Sequence, residues 1–195
     1  ADGVLNRSMK SVCNPEKLGE EAHYGKRRRF DPGWKIGDTF AYHMDDRFSR
    51  DLGLEGWYAI VRKVEEAYAK GIGLEQIVYL SICPPDRLPK NAEELEQLGY
   101  IAFQRRCDRA GRGYECRANI YFSSQKKVDE LKVQKIGCFP ETSPPQDEYV
   151  NPYIPGAWNL NPMPASGDRT GYSDIEFYAC WGYRQFGVVP ALDQQ

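Results

Sequence analysis

The sequence has few of the residues and patterns that mark a catalytic centre, a metal site or a membrane segment. Only two histidines, His23 and His43, occur in 195 residues. The motifs G-x-S-x-G, H-E-x-x-H and G-x-G-x-x-G and the phosphate-binding P-loop are absent. No apolar run approaches the roughly 20 residues that a transmembrane helix needs. The sequence therefore predicts a non-enzymatic protein with no cofactor, no metal and no membrane contact.

The six cysteines are scattered and contain no C-x-x-C pair. Structural zinc sites use close pairs, and disulfide frameworks are denser in cysteine, so neither is predicted. Each cysteine stands in or beside an apolar or aromatic stretch, where a free thiol acts as a small hydrophobe. We therefore expect reduced thiols and a cytoplasmic protein. A Cys₃His zinc site from Cys107, Cys116, Cys138 and one histidine is the one metal alternative.

Charge is nearly balanced overall but unevenly distributed along the chain. The net charge is −2, so no global field attracts nucleic acid or anionic lipid. Residues 101–138 contain nine Lys/Arg against four Asp/Glu, whereas residues 139–195 contain two against seven. Three interpretations fit this asymmetry. The two parts complement each other within one domain, the arginines contact phosphates with tyrosines as stacking groups, or the two faces meet a protein partner.

The hydrophobic pattern predicts an α+β fold built on an antiparallel sheet. Alternating stretches at 34–44, 56–68 and 74–83 predict a three-stranded meander, with a bulge or turn at Gly37–Asp38. Residues 100–107 and 114–122 predict a hairpin, and residues 131–139 a further strand. We expect a strongly bent sheet or partly open barrel of five to seven strands. The predicted core residues are Trp34, Ile36, Phe40, Ile60, Val64, Ile77, Val78, Leu80, Ile82, Ile120, Phe122, Ile136 and Trp181.

Two helices carry recognisable terminal residues. Asn91 followed by Glu94 is an N-cap with an acidic third position, and Gly99 is a C′ glycine, which together predict a short helix over Ala92–Leu98. Ser173 and Glu176 form a capping box that predicts a C-terminal helix over Asp174–Gln185, with a strand over residues 175–183 as the rival. Residues 45–56 are predicted to be a loop, and residues 123–130 a polar connector or one helical turn.

The domain organisation follows from two changes in composition. Residues 1–29 are polar and end in the basic run Lys26–Arg29, and they predict an N-terminal linker or the end of a preceding helical domain. Asp31-Pro32-Gly33 then turns the chain into the first strand. Residues 30–195 are predicted to be a single α+β domain. It includes a loop over residues 139–173 that contains seven of the thirteen prolines.

Four stretches resemble a group of uncharacterised bacterial proteins, mostly from Firmicutes. They are KRRRFDPGWKIGDTFAYHM, GLEGWYAIVRKVEE, QIVYLSIC and LPKNAEELEQLGYI, and the strand opening W-K-x-G-D-x-F-A-Y is typical of that group. Those proteins resemble the immunity protein 26 family, whose genes stand beside polymorphic toxin genes. The resemblance covers about residues 26–138 and defines no catalytic residues. It implies a cytoplasmic protein that binds and neutralises a partner toxin.

These observations give a leading function and two alternatives. The leading prediction is a protein-binding module, immunity-like, that occludes a partner toxin. Its predicted contact residues are Arg105, Arg106, Arg109, Arg112, Arg117, Tyr114 and Trp158. The first alternative is a nucleic-acid or nucleotide-binding module that uses the arginine-rich hairpin over residues 105–117. The second is an enzyme with a site at His43, Asp45 and Asp46.

Overall fold

The structure, a computed structural model of the chain, describes residues 30–69, 73–105, 114–142 and 174–191. Within these ranges the strands are β1 (Asp38–His43), β2 (Tyr58–Ala69), β3 (Gly73–Cys83), β4 (Tyr100–Ile101), β5 (Gln104–Arg105), β6 (Tyr114–Glu115), β7 (Arg117–Tyr121), β8 (Gln134–Cys138) and β9 (Val188–Val189). The helices are α1 (Arg47–Asp51), α2 (Ala92–Gln97), α3 (Gln125–Glu130) and α4 (Asp174–Phe186).

An antiparallel sheet of five strands organises the fold, in the order β7-β3-β2-β1-β8. The β1–β2–β3 meander predicted from the alternating pattern forms its centre, which confirms the α+β prediction. Strand β7 adds to β3 at one edge and β8 adds to β1 at the other. The two edges are not paired with each other in the described chain, so the sheet is open.

The sheet separates two apolar layers, because successive strand residues point to opposite faces. The larger layer lies between one face and α4, where Val61, Leu80 and Ile120 meet Ile175 and Ala179. The smaller layer lies on the other face beneath α2 and is built from Ala41, Ile60, Cys83 and Leu95. We call this second side of the sheet the α2 face.

Helix α2 begins and ends as its sequence predicts. The Asn91 side chain accepts a hydrogen bond from the Glu94 amide at 2.8 Å, which satisfies one of the free N–H groups of the first turn. Gly99 follows with φ of +72°, the left-handed conformation that glycine adopts without strain. Strand β4 starts directly after it and pairs with β9. The helix therefore leads the chain straight back to the sheet.

Helix α4 approaches β4 very closely, and one glycine allows this. A Cβ atom on Gly182 would lie 2.4 Å from Ile101 Cγ2 and 2.8 Å from the Ala102 carbonyl oxygen. The predicted helix over Asp174–Gln185 is confirmed, and the strand alternative is wrong. The Glu176 carboxylate contacts the start of α1. Its Oε1 accepts a hydrogen bond from the Asp46 amide at 2.9 Å, and this bond ties α4 to α1.

Three sequence expectations about local structure are wrong. Ile36 is 57 % exposed rather than in the core. A turn is closed there by the Asp38 amide donating to the Lys35 carbonyl, and Gly37 has φ of +91°, so the strand alternation starts only at Asp38. Residues 47–51 form helix α1 instead of a loop, capped by the Asp46 side chain. The single strands predicted for residues 100–107 and 114–122 are each two strands, β4 and β5 and then β6 and β7, with different partners.

Candidate functional site

Three of the seven predicted contact residues lie where the structure describes at least their backbone. Arg105 pairs with Tyr114 across the β5–β6 ladder, which confirms the base of the predicted hairpin. Arg117 opens β7 in the main sheet. Arg106, Arg109, Arg112 and Trp158 lie outside the described residues, and most of the predicted proline-rich loop lies outside them as well.

Tyr114 presents an aromatic side chain at the foot of this hairpin. It is 40 % exposed, and its ring meets the Phe186 ring edge-on with centroids 6.1 Å apart. Phe186 in turn meets Trp181 edge-on at 6.3 Å. Tyr114 therefore packs against the end of α4 and stays partly exposed, and a partly exposed aromatic side chain of this kind suits a contact residue.

Arg117 belongs to a row of side chains that crosses four strands on the α2 face. The registers pair Thr39 with Arg62, Arg62 with Tyr79, and Tyr79 with Arg117. Directly opposed side chains lie on the same face with Cβ atoms about 5 Å apart. Arg117 Nη1 also lies 3.5 Å from Glu65 Oε2. Arg117 is thus engaged within the sheet through its ion pair with Glu65.

Arg62 is the centre of this row and is almost completely buried, with 1 % of its side chain exposed. Its Nη1 donates to Glu96 Oε1 at 3.2 Å and to the Phe139 carbonyl oxygen at 3.4 Å. Its Nη2 donates to the Tyr100 hydroxyl and lies 3.7 Å from Glu141 Oε1. The Tyr100 ring also faces the guanidinium, 5.4 Å from its centroid. We call these residues, with Thr142, the Arg62 cluster.

Glu96 is the acidic residue that fixes the cluster to the chain beyond β8. Thr142 donates twice to it, from its amide to Oε1 at 3.0 Å and from its hydroxyl to Oε2 at 2.6 Å. Burial raises the pKa of Glu96, but the Thr142 hydrogen bonds and the Arg62 guanidinium outweigh this and hold the pKa below its usual 4.5. Glu96 is therefore ionised across the neutral range and holds residues 139–142 against α2.

Tyr100 keeps its proton at all ordinary pH values. Burial is the main cause that raises its pKa, to about 12, with the negative charges of Glu141, Glu96 and Cys116 adding and Arg62 opposing. Its ring contacts that of Tyr79 with centroids 4.6 Å apart. The cluster thus combines one cation, two carboxylates and a neutral phenol between the sheet and α2.

A second buried cation lies on the other face of the sheet. Lys63 directly follows Arg62 in the sequence and is also buried, but its side chain points to the opposite face of the sheet. Its Nζ donates to the Trp34 carbonyl oxygen at 2.6 Å and to Glu66 Oε2 at 2.7 Å. These bonds hold the chain before β1 against β2, so the two consecutive charges each fasten a separate connecting segment to the sheet.

His43 and Asp46 of the enzyme alternative make local structural contacts. His43 is exposed at the end of β1, with its ring edge-on to Tyr58 at 5.3 Å. The Asp46 side chain accepts from the Arg47 amide at 2.6 Å and so caps α1. This contact does not engage His43.

The thiols and acidic residues give no indication of a metal centre in the part of the chain that the structure describes. Within it, no three His, Cys, Asp or Glu side chains come together as metal ligands. Burial raises the pKa of Cys83 to about 11, and burial followed by the nearby Glu176 raises that of Cys180 to about 12. Both thiols therefore stay protonated and act as core residues. Among the described helices, none has the length and apolar character to cross a membrane.

The Arg62 cluster is what reasoning from sequence missed. The alternation of β2 predicts that Arg62 and Lys63 point to opposite faces of the sheet. Charged residues in a strand, however, indicate exposed side chains. The partners of Arg62, Glu96 and Glu141, lie 34 and 79 positions further along the chain. The excess of charged residues within an otherwise apolar strand was the one available signal.

Comparison with known proteins gives no match to a protein-family model, to a curated protein or to a solved structure. The resemblance to the immunity protein 26 family therefore stays a prediction that depends on the quoted sequence motifs.

Proposed function

We propose that the protein is a non-enzymatic, cytoplasmic binding module that occludes a protein partner, in the manner of an immunity protein acting on a toxin. The observation that carries the proposal is the exposed Tyr114 ring, braced by Phe186 at the base of the arginine-rich segment 105–117. Tyrosine and arginine are the residues most enriched among those that dominate binding energy in protein interfaces.

The electrostatics of the described chain support the same proposal. The buried charges Arg62, Lys63 and Asp38 are engaged in ion pairs within the described chain. The sequence between β5 and β6 contains Arg106, Arg109 and Arg112, which the proposal takes as positively charged contact groups beside Tyr114. They suit an acidic protein surface, because complementary charge steers association and rejects wrong partners.

The experiment uses the product of a gene adjacent to the one that encodes this chain. That product is expressed in cells with and without this protein, and growth is measured alongside the affinity of the two purified proteins. We expect growth to be restored and a direct complex to form. Absence of both the complex and the restored growth for every adjacent toxin would refute the proposal.

Two tyrosines of similar exposure provide a matched comparison. Tyr114→Ser should weaken the complex by a factor of about 30 or more, as for a residue that dominates an interface. Tyr121→Ser changes a side chain that is 43 % exposed on β7, outside the hairpin, and should leave the affinity nearly unchanged. Equal effects of the two substitutions would contradict the assignment of the hairpin as the contact surface.

The same purified protein tests the nucleic-acid alternative. A binder that neutralises phosphates loses affinity steeply as salt rises, and it does so for oligonucleotides of any sequence. Strong, salt-dependent binding to a single-stranded oligonucleotide that is lost in an Arg105→Glu/Arg109→Glu variant would replace a protein partner with a nucleic acid.

A further inference from the structure

The two edges of the open sheet differ in how they are protected. At the β8 edge the register with β1 shifts between Thr39 and Phe40, and the exposed Lys135 stands at this irregularity. A bulge and a lysine are devices that keep an edge strand from pairing with another chain. At the opposite edge, β7 pairs with β3 in one continuous register over Arg117–Tyr121 and contains neither lysine nor proline. The β7 edge is therefore suited to take a further strand.

Strand β7 carries a different pair of side chains on each of its faces. Ala118 and Ile120 belong to the apolar layer beneath α4. Arg117 and Tyr121 alternate with them and lie on the α2 face, where Tyr121 is 43 % exposed. Within the described sheet β7 has a neighbouring strand on one side alone. The backbone groups that point away from β3 are thus available to a partner strand.

We propose that the β7 edge binds a second copy of this chain, with the two β7 strands antiparallel, so that two five-stranded sheets join into one. A two-fold axis perpendicular to the sheet brings identical edges together in this way and leaves both α4 helices on the same side. Opposed residues must then point to the same face. All five residues overlap only when the axis passes through position 119, the centre of the strand.

In this register the strand is complementary to itself, which favours a second copy over an unrelated strand. Arg117 lies opposite Tyr121 of the second copy, and a guanidinium packs well on an aromatic ring while Arg117 keeps its ion pair with Glu65. Ala118 lies opposite Ile120 of the second copy, a small residue against a large one. Each pair occurs twice. Five paired residues bury less than the roughly 1,200 Å² of a stable interface, so the association is weak and concentration-dependent.

Sedimentation of the full chain over a range of concentrations tests the association. The average mass should rise from that of one chain toward that of two. Tyr121→Lys places an ammonium opposite Arg117 of the second copy and should weaken association about tenfold or more. Glu75 lies opposite position 121 within the same chain, so the monomer accommodates the lysine.

The matched control replaces another exposed apolar residue with lysine at a site away from β7. Ile36→Lys, at the turn before β1, should leave the association unchanged. A protein that stays monomeric at every concentration, or equal effects of the two lysines, would overturn the proposal. Monomeric protein whose β7 amides gain protection from hydrogen exchange only with the product of an adjacent gene would replace the second copy with that partner.

Cross-linking tests the register without depending on the lysine variants. Position 119 faces itself across the axis with Cα atoms about 5 Å apart, within the range of a disulfide. Position 121 lies about 14 Å from its copy, far outside that range. Under mild oxidation Asn119→Cys should form a covalent dimer, and Tyr121→Cys should cross-link no more than the natural protein. Equal cross-linking of both variants, or none by Asn119→Cys while the natural protein dimerises, would overturn the proposal.

Discussion

Thr142 donates both its amide and its hydroxyl to the carboxylate of Glu96, a residue 46 positions earlier in the chain. This pair closes residues 139–142 over the α2 face. It joins helix α2 to the segment that follows β8, two parts of the chain that are far apart in sequence.

The Glu96 carboxylate should make the protein sensitive to acid. Its pKa in the folded protein lies below the usual 4.5, because the Thr142 and Arg62 hydrogen bonds outweigh the effect of burial. The stability that it supplies is complete above the unfolded value and is lost as pH falls through the folded value. We expect Glu96→Gln to lower the unfolding free energy at neutral pH by about 1–3 kcal/mol and to reduce its decline between pH 6 and pH 3.

Denaturant unfolding at several pH values measures this difference, with Glu93→Gln as the control on the same helix turn. Glu93 is exposed and lies in the first turn of α2, so its substitution controls for the removal of one negative charge from this helix. Asp38, whose pKa is also lowered, remains in both variants and cancels from the comparison. Parallel curves for Glu96→Gln and the natural protein would contradict the assignment.

Arg62 should tolerate neither a neutral nor a shorter cationic substitute. Arg62→Met leaves Glu96 and Glu141 without their cation, and breaking a buried ion pair in this way costs about 3–5 kcal/mol, less where the acids reach solvent. Arg62→Lys keeps the charge but cannot serve Glu96, Tyr100 and the Phe139 carbonyl together. Chemical denaturation of both variants beside Arg50→Met, an exposed arginine, checks this. A loss no larger than for Arg50→Met would show that the cluster adds little stability.

Tyr100 should ionise well above the ordinary pKa of a tyrosine, 10. Its pKa is raised to about 12, chiefly by burial, so its neutral form is favoured in the folded protein. The corresponding stability is present below the ordinary value of 10 and is lost as pH rises through the folded value. Ultraviolet titration of phenolate absorbance should show a late step that Tyr100→Phe lacks and that Tyr121→Phe retains. Loss of the late step in Tyr121→Phe would reassign it.

Gly182→Ala should destabilise the packing of α4 on β4. The added methyl would meet Ile101 Cγ2 and the Ala102 carbonyl oxygen well inside contact distance, and the latter is backbone that cannot turn aside. Overpacking of this kind costs about 1–3 kcal/mol, which exceeds the gain of helix propensity from glycine to alanine, about 1 kcal/mol. Gln185→Ala, exposed on the same helix, is the matched control and should change stability by less than about 0.5 kcal/mol. A stabilised Gly182→Ala protein would contradict the close approach.

The sheet was largely predictable because its information is local. Alternation in β2 and β3 defines two strands joined by a short connection, and such neighbours pair as a meander without information from elsewhere. Helix α2 was equally predictable, since Asn91, Glu94 and Gly99 each satisfy or end a helical turn within a few residues. Local patterns of this kind were enough to predict the central strands, helix α2 and the α+β class of the fold.

The remaining features depend on contacts that no local pattern encodes. Ile36 follows the strand period, yet the Lys35–Asp38 turn makes it an exposed residue. Strand β9 has two residues and exists because β4 is there to pair with it. Among the predicted contact residues, Tyr114 packs against Phe186, which lies 72 residues further along the chain. The function assigned to the hairpin stays a prediction.

The sheet order also determines when each part of the protein can assemble. Strands β1, β2 and β3 are neighbours in the chain, whereas β8 pairs Gln134 with Ala41, which lies 93 positions earlier. Loop closure of that length is slow, so we expect the meander to form early and β8 to join late. Residues 139–142 follow β8 and can close only afterwards. Substitutions at Glu96 should therefore accelerate unfolding while leaving the folding rate unchanged, and stopped-flow kinetics would show the opposite if the closure came first.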